Sequence, residues 1–366
     1  MGFNYLDIAC EGVKNLRPYE PGKSTEDIER ELGLTGVVKL ASNESPLGPS
    51  PKAADACREM ANGTHLYPDN DSHTLKAELS RKHAIPETSL VIGNGSTQLI
   101  ELIANVFLDK DSEAIYSEYA FIYYAISVTA RGAKGVMTPA KDWGHDLEAM
   151  AAAITDKTKV IFLANPNNPT GTWFEQSHLN DFMQKVPEQV LVVLDEAYID
   201  YQAAENLPDS IVLRNQYENL IITRTFSKAY GLGGLRLGYA IAPEQIANIL
   251  NRYRAPFSIN ALAEKAAVAS LHDSEHLQTS CQVNQEGMQQ ITQGLKNLAV
   301  DYIPSAGNFV TIRSPMDCQQ AYSELLMQGV IVRPLTPYGM SHHLRCTIGT
   351  TEQNEKLLHA IKKVFQ

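Results

Sequence analysis

The stretch TRTFSKAYGLGGLRLGY, residues 223–239, sets one lysine, Lys228, directly after a strand-like apolar run and among hydroxyls, then follows it with four glycines and Arg236. A lysine in a glycine-rich turn is by default a solvated surface residue, so its surroundings decide its role. Those surroundings repeat one pattern. SLVIGNGSTQLIELIANVF reads as strand, tight turn and helix, EAIYSEYAFIYYAISVTARGA as strand and helix, and KVIFLANPNNPTG as strand and turn-rich loop. VLVVLDEAYIDY and NLIITRTFSKAYG are two more strands that end abruptly in polar residues. Apolar runs of this length, alternating with amphipathic stretches, predict strands of a largely parallel sheet covered by helices on both faces.

Three parts are expected along the chain: residues 1–45 as an irregular, proline-punctuated segment packing across two domains, 46–250 as a large domain, and 251–366 as a smaller α+β domain. In the last part, RYRAPFSINALAEKAAVASL predicts a long helix entered near Pro256, and QVNQEGMQQITQGLKNL continues helically. AVDYIPSAGNFVTIR, VIVRPL and LRCTIGT predict short strands. TTEQNEKLLHAIKKVFQ predicts a closing amphipathic helix, with Thr350 and Gln353 as a capping box and Leu357, Leu358, Ile361, Val364 and Phe365 on one stripe.

The bulk numbers limit the function. At 366 residues the chain exceeds one ordinary core, and 44% hydrophobic with 20% charged residues is a globular balance. A formal charge of −11 and a pI near 5.4, without a basic block, argue against a nucleic-acid or anionic-membrane surface. An anionic ligand must therefore be held by a few local donors. The first residues lack the apolar centre of a secretory leader, so a cytoplasmic location is expected. Five scattered cysteines without a CxxC pair suggest neither a disulfide framework nor a metal cage, and no metal is expected.

Ligands of open parallel sheets sit beyond the carboxyl ends of the strands. There the chain delivers Gly95-Ser96-Thr97, Tyr119, the loop from Asn165 to Gly171, Asp195 to Tyr198, and Thr225 to Lys228. Asp195, closing an apolar run, needs a cation or donor as partner, or caps the next helix. Gly95-Ser96-Thr97 either binds an anion at a helix start or is an ordinary cap. GNGSTQ lacks the third glycine of a dinucleotide loop, and neither GxxxxGK[ST] nor GxSxG occurs. A lysine amine, a carboxylate and an anion hole together suit pyridoxal phosphate: Lys228 for the aldehyde, Asp195 for the ring nitrogen, and Arg236 with hydroxyls for the phosphate.

NPNNPTG, LDEAY and TFSKAYGLGGLRLGY, in that order, resemble the fold-type I pyridoxal-phosphate aminotransferases, and RPYEPGK, LASNESPLGP, LYPD and LRCTIGT resemble their histidinol-phosphate branch. The resemblance implies an α/β fold with a large, mostly parallel domain and a smaller α+β domain. It implies Lys228 as Schiff-base lysine and general base, Asp195 on the ring nitrogen, and Asn168 and Tyr198 on the ring O3′. It further implies Tyr119 stacked on the ring, and Thr225, Ser227, Arg236 and the Gly95-Ser96-Thr97 amides on the phosphate. Tyr67 would reach the phosphate from a second subunit, which implies a homodimer.

For substrate, Arg345 matches the family's anion-binding arginine, with Arg333, Tyr19 and Asn43 as additions. The implied reaction moves an amino group from L-histidinol phosphate to 2-oxoglutarate, in histidine biosynthesis. Its rivals are an aromatic amino acid aminotransferase and a decarboxylase of a phosphorylated amino acid using the same cofactor. A cofactor-sensing regulator would need a DNA-reading module, and no basic or helix-turn-helix-like module precedes residue 40.

Overall fold

In a computed structural model of the protein, residues 3–14, 16, 25–201 and 204–366 are described. Among them, seven strands form one sheet in the order Leu90–Gly93, Gly238–Ile241, Leu220–Thr225, Leu191–Asp195, Thr158–Ala164, Glu113–Ser117, Lys134–Thr138. Neighbours run parallel except around Gly238–Ile241, which is antiparallel to both of its partners. That strand escapes the sequence reading because GYAI is short and follows glycines.

Both faces of the sheet are covered, and side chains alternate between them as a pleated strand requires. Ile92, Ile161, Leu163, Val192, Leu194 and Ile222 enter one core, with helices Pro51–Met60, His73–His83, Gln176–Met183 and Ala261–Leu271. Val91, Val160, Phe162, Val193, Ile221 and Ala240 enter the other, under Gly95–Phe107, Tyr123–Ala130 and Glu244–Tyr253. The continuous apolar runs are thus explained by burial on both sides.

A second sheet joins Tyr302–Ile303, Phe309–Arg313, His343–Thr347 and Arg333–Pro334 in that order, antiparallel throughout. Helices Ser274–Asn297, Cys318–Met327 and Thr351–Phe365 share its core. The closing helix carries the expected capping box, with Leu357 and Ile361 buried.

Two elements differ from expectation. The helix expected to enter near Pro256 starts later, at Ala261, where Asn260 Oδ1 accepts from Ala263 N at 2.8 Å; the preceding helix ends at Tyr253. Proline disfavours helical geometry in the residue before it, and an asparagine cap restarts the helix. The new helix packs its small Ala263, Ala266 and Ala267 into the large-sheet core. Thr25–Leu32, read as irregular, is a helix; its sequence TEDIEREL is mostly polar, and among its described side chains Ile28 is the fully buried one.

Val38–Lys39 pairs in parallel with Val330–Ile331, so the chain ahead of the large sheet is fixed to the second body. The loop that follows is seated by Gly231, whose φ is +68° and where an added Cβ would stand 2.0 Å from the Gly48 carbonyl oxygen. Gly231→Ala is expected to destabilise the fold by about 2 kcal/mol or more, through a left-handed conformation and a backbone clash together. A denaturant midpoint equal to that of the parent protein would contradict this close approach.

Candidate active site

The parallel strands and the reversed one bring their polar ends to a single rim, enclosing a cavity of about 200 Å³ between the two bodies. Of the residues singled out in the sequence, Ser96, Thr97, Asn168, Asp195, Tyr198, Thr225, Ser227, Lys228, Arg236, Asn43, Arg333 and Arg345 line it. Tyr19 lies outside the described residues.

Lys228 follows the strand Leu220–Thr225, and its Nζ donates to the Ser42 carbonyl at 3.1 Å. Removal from water, followed by the Arg345 charge, brings its amine down to about 7. At neutral pH a large share of this amine is therefore uncharged, as a nucleophile or base must be.

Asp195 ends its strand almost fully buried, accepting from Tyr124 Oη at 2.8 Å and from Thr223 Oγ1 at 3.1 Å. Burial pushes its carboxyl above the ordinary range, and these two donors pull it back. Sequence reasoning did not single out either donor. Thr223 stands two residues before Thr225 on the neighbouring strand, in register with Asp195, and strand pairing alone could have found it.

A cradle of anion donors forms at the neighbouring strands. Ser227 N donates to Thr225 Oγ1 at 3.1 Å, and the Thr225 hydroxyl donates to Ser227 Oγ at 3.0 Å. Arg236 Nη1 reaches Ser227 Oγ at 3.4 Å and the Gly233 carbonyl at 2.9 Å. The antiparallel strand beginning at Gly238 is what returns Arg236 here. Ser96 and Thr97 begin the helix Gly95–Phe107, whose N-cap residue Asn94 makes no side-chain capping bond, so their amides still face the cavity without a capping oxygen. A Cβ at Gly95 would stand 2.6 Å from Arg236 Nη2, which ties that glycine to the guanidinium.

On the far wall, Tyr198 Oη accepts from Asn43 Nδ2 at 2.9 Å, and burial raises its phenol to about 12. Arg345 Nη1 donates to Asn168 Oδ1 at 2.5 Å and Nη2 to the Ala41 carbonyl at 2.8 Å, while its Nε is buried without a partner. Arg333 is the cross-strand partner of Arg345.

Two expectations need correction or a second chain. Tyr119 does not line the cavity: Asn167 Nδ2 holds its carbonyl at 2.7 Å, and its ring packs 5.2 Å from Trp143. Phe121, two residues later, lines the cavity in its place, beside Tyr124. The strand Glu113–Ser117 ends earlier than the stacking position requires, and the turn at Ala120 adds two residues. Tyr67 is 84% exposed and rests on Phe257 at 4.9 Å, away from this cavity.

Known proteins place this arrangement. The profile of the family described as aminotransferase class I and II matches residues 35–361. A histidinol-phosphate aminotransferase of Nitrosococcus oceani is 47% identical over 99% of this chain and 98% of its own length. One from Pseudomonas aeruginosa is 47% identical, covering 99% of both. The crystal structure of histidinol-phosphate aminotransferase from Sinorhizobium meliloti in complex with pyridoxal-5′-phosphate superposes with a TM-score of 0.87 at 28% identity, covering 97% of this chain and 96% of that one.

The lowered amine sets a pH test. Reaction of Lys228 in the cofactor-free protein with a small aldehyde, trapped by borohydride and read by peptide mass, should rise with pH to a half-maximum near 7. Arg345→Gln, which removes a like charge, should move that midpoint upward. A midpoint near the ordinary lysine value of about 10.4 in the parent protein would refute the desolvated amine.

Proposed function

We propose that the chain, which belongs to the class I and II aminotransferase family, moves the amino group of L-histidinol phosphate to 2-oxoglutarate, giving imidazole-acetol phosphate and L-glutamate. Its fold is that of the fold-type I pyridoxal-phosphate enzymes, and its cofactor is pyridoxal phosphate. The cavity's donor set fits that group: an uncharged amine, a buried carboxylate with two donors of its own, and an anion cradle at a helix start.

One observation carries the substrate assignment. Arg333 and Arg345 face each other across an antiparallel pair and both line the cavity. Like charges directly opposite repel, so this wall of the cavity favours an anion with enough charge to meet both guanidinium groups. A phosphate monoester and a dicarboxylic oxo acid both meet that need, and guanidinium forks suit either. Phenylalanine, with one carboxylate, meets half of it.

The cofactor, when bound, supplies an aldehyde that condenses with amines and a ring that withdraws electrons from the substrate's Cα–H bond. Arg236, Ser227, Thr225 and the amides of Gly95, Ser96 and Thr97 hold its phosphate. Asp195 keeps a proton on the ring nitrogen, with Tyr124 and Thr223 fixing the carboxylate. Asn168 and Tyr198 serve the ring oxygen. Lys228 would be the amine that holds the cofactor aldehyde and the base placed to take and return the substrate's Cα proton. Arg345 and Arg333 orient the substrate anion, and Asn43, through Tyr198, shapes the entrance. Tyr19 belongs with the substrate residues on resemblance alone.

Tyr67, exposed on one chain, serves the phosphate of a second, so the working unit is a homodimer. Its five free cysteines suit a reducing cytoplasm.

Kinetics test the assignment. The parent enzyme should show a higher kcat/KM for histidinol phosphate than for phenylalanine. Arg333→Gln should raise KM for histidinol phosphate by roughly 10- to 100-fold with a smaller change for phenylalanine. A parent preference for phenylalanine, or an unchanged KM for histidinol phosphate in the variant, would overturn it.

A further inference from the structure

Outside the catalytic cavity, a cleft of about 470 Å³ opens between the hairpin of Ala140–Lys141 with Gly144–His145 and the adjoining ends of Phe309–Arg313 and His343–Thr347. No step of the proposed reaction uses it. Its lining combines packed rings with a cation that pairs with none of the described residues.

Trp143 is 37% exposed, and its indole lies 5.2 Å from the Tyr119 ring and 4.8 Å from the His343 imidazole, centroid to centroid. It is held there by a turn in which Asp142 and Trp143 have φ of +50° and +66°, a conformation that bulky L residues rarely take. The hairpin pairs Ala140 with His145 and Lys141 with Gly144, and its two-residue turn requires both left-handed values, which fixes where the indole stands.

Arg313 is the cross-strand partner of His343. Its guanidinium makes no hydrogen bond or ion pair with any described residue, although Asp301, whose carbonyl accepts the Arg313 amide at 2.8 Å, lines the same cleft. His343 Nδ1 is buried without a hydrogen-bond partner. Burial, then the charges of Arg313 and His342, hold that imidazole below its ordinary range, so at neutral pH it offers one N–H and one lone pair.

We propose that this cleft is a second small-molecule site for a planar aromatic or heteroaromatic ring carrying an acidic group, with the ring against Trp143 and the anion on Arg313 and His343. Each half uses a feature of the cleft: the part-exposed indole offers a flat face to a ring, and the exposed guanidinium, unpaired among the described residues, offers donors to an acidic group beside the His343 imidazole. The site also touches the catalytic machinery. Tyr119, Ile303 and Met340 line the cleft and pack in one cluster with Leu335 and Tyr338, and Tyr338 lines the catalytic cavity. A bound ring is thus one packed layer from the substrate.

The chain has two tryptophans, so Trp173→Phe leaves Trp143 as sole reporter. Titrating the holoenzyme of that variant with phenylacetate should give a saturable change in Trp143 emission. Acetate should bind at least tenfold more weakly, and adding Arg313→Gln should weaken phenylacetate at least tenfold. Saturating 2-oxoglutarate, which fills the catalytic cavity, should leave the phenylacetate affinity unchanged. No saturable change, in emission or in the Trp143 indole N–H resonance, overturns the proposal. Undiminished binding by the Arg313→Gln variant, or displacement by 2-oxoglutarate, also overturns it, the latter placing the ligand in the catalytic cavity.

Discussion

An amine enclosed by protein and set near a guanidinium gives up its proton at a pH where an exposed lysine keeps it, and Lys228 is built into that environment. Its one hydrogen bond goes to the Ser42 carbonyl, an acceptor that serves a neutral amine as well as a charged one. Among the described residues no carboxylate pairs with it directly. Asp195 shares the cavity, yet its oxygens are taken by Tyr124 and Thr223, so the acid and the amine do not cancel. Had they formed a salt bridge, the amine would be an ammonium and the carboxylate would be committed. Keeping them apart leaves the amine able to attack and the acid able to hold a ring-nitrogen proton.

The same separation governs the anions. The chain is acidic overall at −11, so long-range fields do not draw in a phosphate. Recognition depends on three arginines at short range, and each is positioned by backbone geometry. Arg236 arrives because one strand reverses direction, and Arg345 because its fork is held by Asn168 and the Ala41 carbonyl. Arg333 is set by register opposite Arg345. Arg345 also lies 5.4 Å from the Phe309 ring, which supports the guanidinium face where water cannot.

Most of this was legible in the sequence because parallel strands announce themselves as apolar runs and each run ends on its functional residue. Lys228, Asp195, Asn168 and Arg236 could be located without coordinates for that reason. What stayed hidden depends on geometry rather than pattern. GYAI, short and preceded by a glycine-rich turn, carries too little periodicity to mark a strand. Phe121 replaces Tyr119 at the cavity because a turn shifts the lining by two residues, and turn geometry is not fixed by residue type. Tyr124 looks like one more apolar position of its helix, stacked 4.9 Å from Phe162, until its hydroxyl is seen on Asp195. The helix at Thr25–Leu32 was missed because one buried isoleucine leaves no apolar stripe to read.

Asn43 joins these strands of the argument. Its φ of +55° is left-handed, a conformation costing a non-glycine residue on the order of 1 kcal/mol. Glycine would relieve that strain, so the side chain must return more than it costs. Its amide donates to Thr347 Oγ1 at 2.9 Å, its Oδ1 accepts from that hydroxyl at 3.2 Å, and its carbonyl accepts from Asn308 Nδ2 at 3.0 Å. Both partners, Thr347 and Asn308, belong to the second body. Its own Nδ2 then donates to Tyr198 Oη, which stands beyond the large sheet. One strained residue therefore couples the sheet that carries Arg345 to the rim that carries Asp195 and Lys228. On the proposed reaction, the substrate's anion and its reacting carbon would be held by different bodies, with their separation set at this joint.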